Sequence, residues 1–253
     1  MIFEELKKLL SFSDSGATEA RWILSEKFSD SDIYKMIKRR KMGEPLSKIL
    51  GHRGFWKGDF IVDSNVLDPR PDSETLIQAV LEKFPDQTQP LRILDLGTGS
   101  GCLLISLLME YKNATGIGVD ISPKALQIAQ KNALKNNVKA EFFQADMTRL
   151  SPHFGRFDFV ISNPPYIPTH EIELLDQNVQ KYDPILALDG GPDGLNFYRT
   201  LAQISLSPII FLEIGLGQSD SVQKIFDQQN WHLMGTKKDF GEIERVLIFK
   251  KSL

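Results

Sequence analysis

The loop Asn163-Pro164-Pro165-Tyr166 combines groups that could bind a planar amine or amide. It follows residues 157–162, whose aromatic and β-branched side chains are typical of a buried strand. Ligands of open α/β sheets bind at the carboxyl ends of strands, so the position alone makes this loop a candidate site. The Asn163 oxygen and the Pro164 carbonyl can accept both hydrogens of an NH2 group, because Pro165 offers no competing N–H. With Tyr166 stacked on the target, the loop predicts group transfer to nitrogen, and a rigid Asn-Pro turn is the alternative.

A glycine-rich loop, Asp95-Leu96-Gly97-Thr98-Gly99-Ser100-Gly101, lies upstream. Glycines at alternate positions allow the backbone to turn tightly and to approach a ligand with no Cβ in the way, and the N–H groups lead into the start of a helix. Asp120 follows Gly99 by 21 residues, a distance at which its carboxylate can accept both hydroxyls of a ribose. Asp146 could accept from an adenine amino group, with Met147 beside it as an apolar lid.

The glycine spacing discriminates between cofactors. The third glycine comes one residue earlier than in the dinucleotide fingerprint, and no basic residue follows it to bind a pyrophosphate. A cofactor without phosphates is therefore favoured over a nicotinamide dinucleotide, and a turn that binds no ligand is the alternative.

Both loops need a sheet to position them, and the pattern from residue 92 onward provides one. Strands and helices alternate, which predicts a mostly parallel sheet with helices on both faces, and two consecutive strands at the end predict an antiparallel edge hairpin. The predicted strands are 92–96, 115–120, 140–144, 157–162, 209–214, 231–236 and 246–250. The predicted helices are 101–111, 123–136, 194–206 and 218–229.

The sequence before this region predicts two further units. Residues 1–50 have apolar side chains at helical spacing and indicate a small helical domain. Residues 51–72 form a linker with a hairpin over residues 54–67, divided by Gly58-Asp59 and Ser64-Asn65, and a helix over residues 73–84 begins the main domain, 73–253. Five basic residues within 35–41 favour a solvated helix end over a partner site.

Composition limits the functional classes. The chain has 253 residues, 42% of them hydrophobic, and a net charge of −3, so it is not a general polyanion binder. Its one cysteine, Cys102, excludes an internal disulfide, and four scattered histidines predict no metal site. The longest apolar run is too short to cross a bilayer and no secretory signal is evident, so we expect a cytoplasmic protein that does not bind membranes.

Taken together, the two loops and Asp120 resemble class I S-adenosylmethionine-dependent methyltransferases that modify planar amide or amino nitrogens. Five further motifs make the resemblance more specific to the peptide chain release factor N(5)-glutamine methyltransferases, and the similarity runs from about residue 43 to residue 253. They are Pro69-Arg70-Pro71, Tyr182-Asp183-Pro184, Ala187-Leu188-Asp189-Gly190-Gly191, Asp193-Gly194-Leu195 and Glu213-Ile214-Gly215.

This resemblance implies a fold, a cofactor and a substrate. The fold is a Rossmann-like domain with a seven-stranded sheet, preceded by a small helical domain and a hairpin. The cofactor is S-adenosylmethionine, released as S-adenosylhomocysteine, and the substrate is the glutamine of the Gly-Gly-Gln motif in class 1 release factors. We expect the enzyme to act as a monomer.

The resemblance also assigns residues. Residues 97–101 would hold the methionine part of the cofactor, Asp120 the ribose, and Asp146 with Met147 the adenine. Asn163 and Pro164 would hold the target amide beside the cofactor. Tyr166 would pack either on that amide or in the core.

The chain departs from the family pattern in two respects. Its N-terminal helical region is shorter by one or two helices than the family pattern predicts, which leaves open whether this region docks the release factor. Asp68 stands where an apolar residue is expected.

Two rival functions stay open. Amino-methyltransferases of DNA or RNA bases use a similar loop for an exocyclic amine, although this acidic chain offers little basic surface for nucleic acid. A nicotinamide dehydrogenase or a non-catalytic nucleotide-binding module on the same fold is the other rival.

Overall fold

A computed structural model describes residues 3–13, 15–147, 155–204 and 206–252. Its first part consists of four helices: α1 (Phe3–Leu9), α2 (Gly16–Ser25), α3 (Asp30–Lys41) and α4 (Leu46–Leu50). They bury one apolar cluster, built on Leu6, Leu10, Ile23 and Ile37. Ser29 caps α3 by accepting a hydrogen bond from the Asp32 N–H at 3.2 Å. The helical periodicity predicted for this region is thus present.

A two-stranded hairpin follows the helices. Strands β1 (His52–Phe55) and β2 (Gly58–Ile61) pair in antiparallel register, with Phe55 opposite Gly58. The prediction that Gly58-Asp59 divides the strands is wrong, because both residues lie in β2 and the turn is Trp56-Lys57. Trp56 adopts a φ of 53° there. Its backbone N–H and its indole Nε1 each donate a hydrogen bond to a carboxylate on a helix that is distant in the sequence. The turn preferences of the local residues do not indicate such contacts.

The main domain begins with a 3-10 turn (Pro71–Ser73) and contains a seven-stranded sheet. The strands are β3 (Arg92–Leu96), β4 (Thr115–Asp120), β5 (Glu141–Gln144), β6 (Phe159–Ser162), β7 (Ile209–Glu213), β8 (Trp231–Lys238) and β9 (Glu244–Lys251). Their order is β5-β4-β3-β6-β7-β9-β8, with β3 to β7 parallel and β9 antiparallel to both neighbours. The predicted α/β architecture with an antiparallel edge hairpin is confirmed.

Helices cover both faces of this sheet. The helices of this domain are α5 (Glu74–Lys83), α6 (Cys102–Glu110), α7 (Pro123–Lys135), α8 (Gln177–Tyr182), α9 (Asn196–Leu201) and α10 (Ser219–Asp227), and α8 does not belong to either face. Two apolar clusters fill the two interfaces, and every residue of β6 is buried between them. None of the described helices is both long enough and apolar enough to cross a membrane.

Two segments differ from the sequence prediction. The helix predicted over residues 194–206 is shorter in the structure, where it consists of α9. Just after α9, the Ala202 carbonyl accepts a hydrogen bond from Trp231 Nε1 at 2.8 Å. Between Asn163 and Asn196 the chain forms short helical turns for which no element was predicted, namely Thr169–Leu174, α8 and Ile185–Ala187. This segment lies over the carboxyl end of the sheet, where the candidate site is found.

Candidate active site

A cavity opens where the carboxyl ends of β3, β4, β5 and β6 face the linker before α5. Nine predicted site residues line it: Gly97, Thr98, Gly99, Ser100, Asp120, Asp146, Met147, Asn163 and Pro165. Three predicted residues, Gly101, Pro164 and Tyr166, are not among the lining residues. The structure therefore brings the two loops and Asp120 to one cavity.

The glycine loop needs residues without side chains, because Gly97, Gly99 and Gly101 have φ angles of 74°, 54° and 79°. At Gly101 a Cβ would also stand 3.0 Å from Ile105 Cδ1 and 3.2 Å from Ala129 Cβ. This glycine therefore allows α6 to pack closely on α7.

Most backbone N–H groups of this loop are used within the protein. Gly97 and Thr98 both donate to the Val119 carbonyl, at 2.9 and 3.0 Å, and Gly101 donates to the Thr98 carbonyl at 2.8 Å. Gly99 donates to Asp120 Oδ2 at 2.9 Å. These hydrogen bonds fix the loop against β4. A loop of this kind does not form a phosphate cradle, in agreement with a phosphate-free cofactor.

Asp120 ends β4 with both carboxylate oxygens directed by backbone donors. Oδ2 accepts from Gly99, and Oδ1 accepts from the Ser122 N–H at 2.9 Å. Burial nevertheless raises the pKa of this carboxyl group. Each carboxylate oxygen has further acceptor capacity, so the side chain can take hydroxyl donors from the cavity.

Asp146 and Met147 follow β5 on the same side of the cavity. The Met147 methyl group lies 3.1 Å from the position that a Cβ on Gly97 would take. The side chain of Met147 thus lies directly against the glycine loop, and its role as an apolar lid stays a prediction.

Asn163 begins the loop after β6, and its amide is oriented by hydrogen bonds. Nδ2 donates to Ser73 Oγ at 3.2 Å, which leaves the side-chain oxygen as the acceptor at the cavity. The carboxyl group of Glu213, at the end of β7, is buried next to Asn163 and Ser73, and both side chains oppose the rise that burial causes in its pKa. An acceptor held in this way suits an NH2 target.

Tyr166 packs away from the cavity. Its ring lies against the apolar cluster of β6 and β7, and burial raises the pKa of its phenol to about 12. Its carbonyl accepts from Gln218 Nε2 at 2.8 Å. Of the two alternatives open for Tyr166, this geometry favours core packing.

Comparison with known proteins adds an independent observation. Residues 70–186 match the family model of the methyltransferase small domain. A release factor glutamine methyltransferase of Agrobacterium fabrum is 40% identical over 227 residues, which cover 87% of this chain and 78% of that protein. The protein of the same name from Caulobacter vibrioides is 41% identical, over 85% of this chain and 76% of the relative.

The chain belongs to the release factor glutamine methyltransferase family. Solved structures support the fold. A methyltransferase of Pyrococcus furiosus has a TM-score of 0.55 at 16% identity and covers 88% of this chain and 100% of its own. The Thermus thermophilus 16S rRNA N2 G1207 methyltransferase, solved with S-adenosylmethionine and guanosine, has a TM-score of 0.54 at 19% identity. It covers 79% of this chain and 50% of its own.

As a member of the release factor glutamine methyltransferase family, the chain uses S-adenosylmethionine, and the cavity fits this molecule. The cofactor carries a ribose, an adenine with apolar faces and a free carboxylate. Asp120 can bind the ribose, and Asp146 with Met147 can bind the adenine. Among the described residues that line the cavity, Arg70 is the one with a basic side chain. Its Nη2 lies 2.7 Å from Asp183 Oδ2, and 40% of the side chain is exposed. Arg70 can therefore bind a carboxylate without leaving Asp183.

Sequence reasoning missed the buried charges behind Arg70. Lys48 Nζ lies 2.8 Å from Asp68 Oδ1 and 3.4 Å from Asp183 Oδ1, and none of these side chains is more than 4% exposed. Ser47 donates a further hydrogen bond to Asp68. The sequence did contain one indication of this cation, because Asp68 occupies a position where the family resemblance predicts an apolar residue. A buried carboxylate at such a position needs a cation nearby.

Proposed function

We infer that this protein transfers a methyl group from S-adenosylmethionine to the side-chain amide nitrogen of a glutamine. The substrate is the glutamine of the Gly-Gly-Gln motif of class 1 peptide chain release factors. The observation that carries this conclusion is the orientation of the Asn163 amide, whose NH2 faces Ser73 and whose oxygen serves the cavity beside the glycine loop. Membership of the release factor glutamine methyltransferase family supports it.

The main chemical difficulty lies in the nucleophile. An amide nitrogen shares its lone pair with its carbonyl, so it attacks poorly unless it is oriented. The Asn163 oxygen and the Pro164 carbonyl accept the two N–H groups of the glutamine and favour the positive charge that develops on nitrogen. These contacts strengthen as the reaction proceeds, which is the condition for lowering the barrier.

Bound S-adenosylmethionine supplies a methyl group on a positively charged sulfur, which is an electrophile that needs no covalent bond to the enzyme. The methyl group would pass to the glutamine nitrogen with the S–C bonding pair left on sulfur, and the nitrogen would lose its extra proton to solvent as the product leaves. Asn163 and Pro164 hold that nitrogen in line with the methyl group, and Pro165 lines the cavity beside Asn163.

The remaining assignments are part of the same proposal. Residues 97–101 position the methionine part of the cofactor, with Gly101 acting through helix packing, and Asp120 binds the ribose. Asp146 and Met147 bind the adenine, and Arg70 binds the carboxylate. Residues 1–50 form a helical domain, 51–72 a linker and 73–253 the catalytic domain of a monomer.

Transfer to a purified, unmethylated release factor tests the function. The protein is incubated with the factor and S-adenosylmethionine, and tandem mass spectrometry locates the added methyl group. We expect it on the glutamine of Gly-Gly-Gln, and a factor with asparagine in place of this glutamine serves as the matched control. Methylation of DNA or RNA without methylation of the factor would overturn the proposal in favour of a base amino-methyltransferase.

A further inference from the structure

We propose that Glu213 is a positioning residue that fixes which end of the Asn163 amide faces the substrate. This inference rests on the proposed function, because the orientation matters only if Asn163 accepts a hydrogen from the target nitrogen. Glu213 is neither a cofactor ligand nor a lining residue of the cavity, and it acts through Asn163 and Ser73.

The sheet places Glu213 beside Asn163. Strands β6 and β7 are parallel neighbours with Ser162 opposite Leu212, so the next residues, Asn163 and Glu213, stand side by side at the carboxyl edge. Ser73, in the turn before α5, completes the group, since its Oγ accepts from Asn163 Nδ2 at 3.2 Å. Glu213 is 2% exposed, and the nearby polar side chains of Ser73 and Asn163 favour its ionised form.

The chemical types of these groups determine the orientation of the amide. A serine hydroxyl both donates and accepts, so Ser73 alone could hold either end of the Asn163 side chain. An ionised carboxylate only accepts, so it directs the Ser73 O–H and an Asn163 N–H toward itself. The Asn163 NH2 is then fully turned to the protein and its oxygen to the cavity. A rotated amide would present an NH2 to the NH2 of the substrate and could not hold it.

Burial makes the charge of Glu213 sensitive to pH. Burial raises the pKa of its carboxyl group to about 7, although the side chains of Ser73, Arg245 on β9 and Asn163 oppose the rise. Within the described residues, Oε2 has no hydrogen-bond partner. The titratable groups that also face Glu213 are Asp72, Cys102, Tyr166 and Tyr198.

Protonation should therefore reduce turnover. A carboxylic acid can donate to Ser73 or to the Asn163 oxygen, so the orienting force is lost when Glu213 takes up a proton. Because the protonated form predominates below the pKa, kcat should fall as the pH decreases through about 7.

The test compares Glu213→Gln with the wild-type protein on the release factor. Glutamine preserves shape but offers an NH2 of its own, so we expect kcat to fall by about 10- to 100-fold and KM to change little. The decrease of kcat near pH 7 should also disappear. Glu213→Asp should restore part of the turnover and the pH dependence.

Tyr198→Phe is the matched control, because the Tyr198 hydroxyl donates to the Glu213 backbone carbonyl at 2.9 Å and not to the carboxyl group. Its kcat and pH profile should stay those of the wild type. If Glu213→Gln does not fold, Ser73→Ala replaces it in the experiment. This variant should lower kcat and leave the affinity for S-adenosylmethionine unchanged.

The outcomes separate this inference from the proposed function. Absence of glutamine methylation by the wild-type protein rejects the function itself. If the wild type methylates the factor normally, two results for the folded Glu213→Gln variant reject only the role of Glu213. One is an unaltered kcat, and the other is a lowered kcat that keeps the wild-type pH dependence.

Discussion

The buried cation Lys48 joins the helical unit to the catalytic cavity, and its removal should destabilise the protein strongly. Besides Asp68 and Asp183, its Nζ donates to the carbonyls of Asp63 and Val66, each at 2.6 Å. Lys48→Met would leave two carboxylates and two carbonyls without this donor in a site that excludes water. Breaking a buried pair by removing one partner costs about 3–5 kcal/mol.

Two neighbouring cations place the expected loss at the lower end of that range. Arg70 still pairs with Asp183, and Arg53 Nη1 lies 3.9 Å from Asp68 Oδ2. We therefore expect a loss of about 3 kcal/mol, which for a chain of this size lowers the Tm by roughly 10 °C. Because Asp68 and Arg70 line the cavity, affinity for S-adenosylmethionine should also decrease.

Calorimetric unfolding of Lys48→Met measures this loss, and Lys35→Met provides the control. Lys35 pairs with Asp32 at 3.3 Å, but its side chain is 73% exposed, so its removal should cost less than about 1 kcal/mol. The double variant Lys48→Met/Asp68→Leu should recover much of the lost stability, because it removes both charges of one pair. Equal Tm values for Lys48→Met and Lys35→Met would refute the argument that the buried pair stabilises the fold.

Three further predictions concern the cavity. Asn163→Ala should lower kcat by about 100- to 1000-fold in the release-factor assay, and an unchanged kcat would exclude the proposed role of its oxygen. Arg70→Ala should weaken S-adenosylmethionine binding by at least about 10-fold in calorimetric titration. The same variant should bind 5′-methylthioadenosine, which lacks the carboxylate, as the wild type does, and an equal loss for both ligands would contradict this contact. Gly101→Ala should lower the Tm because of its left-handed φ and its contacts with α6 and α7, and a wild-type Tm would show that the loop relaxes.

The regular part of the fold was predictable because its signals are local. Strands β3, β4, β6 and β7 are short and largely buried, and helical periodicity lies between most consecutive strands. Right-handed crossovers between parallel strands bring their carboxyl ends to one edge. The glycine spacing and the position of Asp120 at a strand end follow from the same pattern. These features therefore placed the cavity and nine of its lining residues from sequence alone.

Features that depend on distant partners were not predictable in this way. The hairpin turn is set at Trp56 by Glu74 and Glu110, which hold its backbone and its indole. The glycine loop donates to Val119 and Asp120, although glycine spacing by itself indicates only that a ligand or another backbone comes close. In both places a tertiary hydrogen bond decides between local conformations of similar free energy.

The orientation of Asn163 shows why a motif alone does not establish activity. Asn163 can be recognised in its tetrapeptide, but the direction of its amide depends on Ser73 and Glu213, which lie 90 and 50 residues away in the chain. Only the parallel register of β6 and β7 and the turn before α5 bring these groups together. A relative with the same loop but without the acceptor at the end of β7 should bind the cofactor normally and transfer the methyl group slowly.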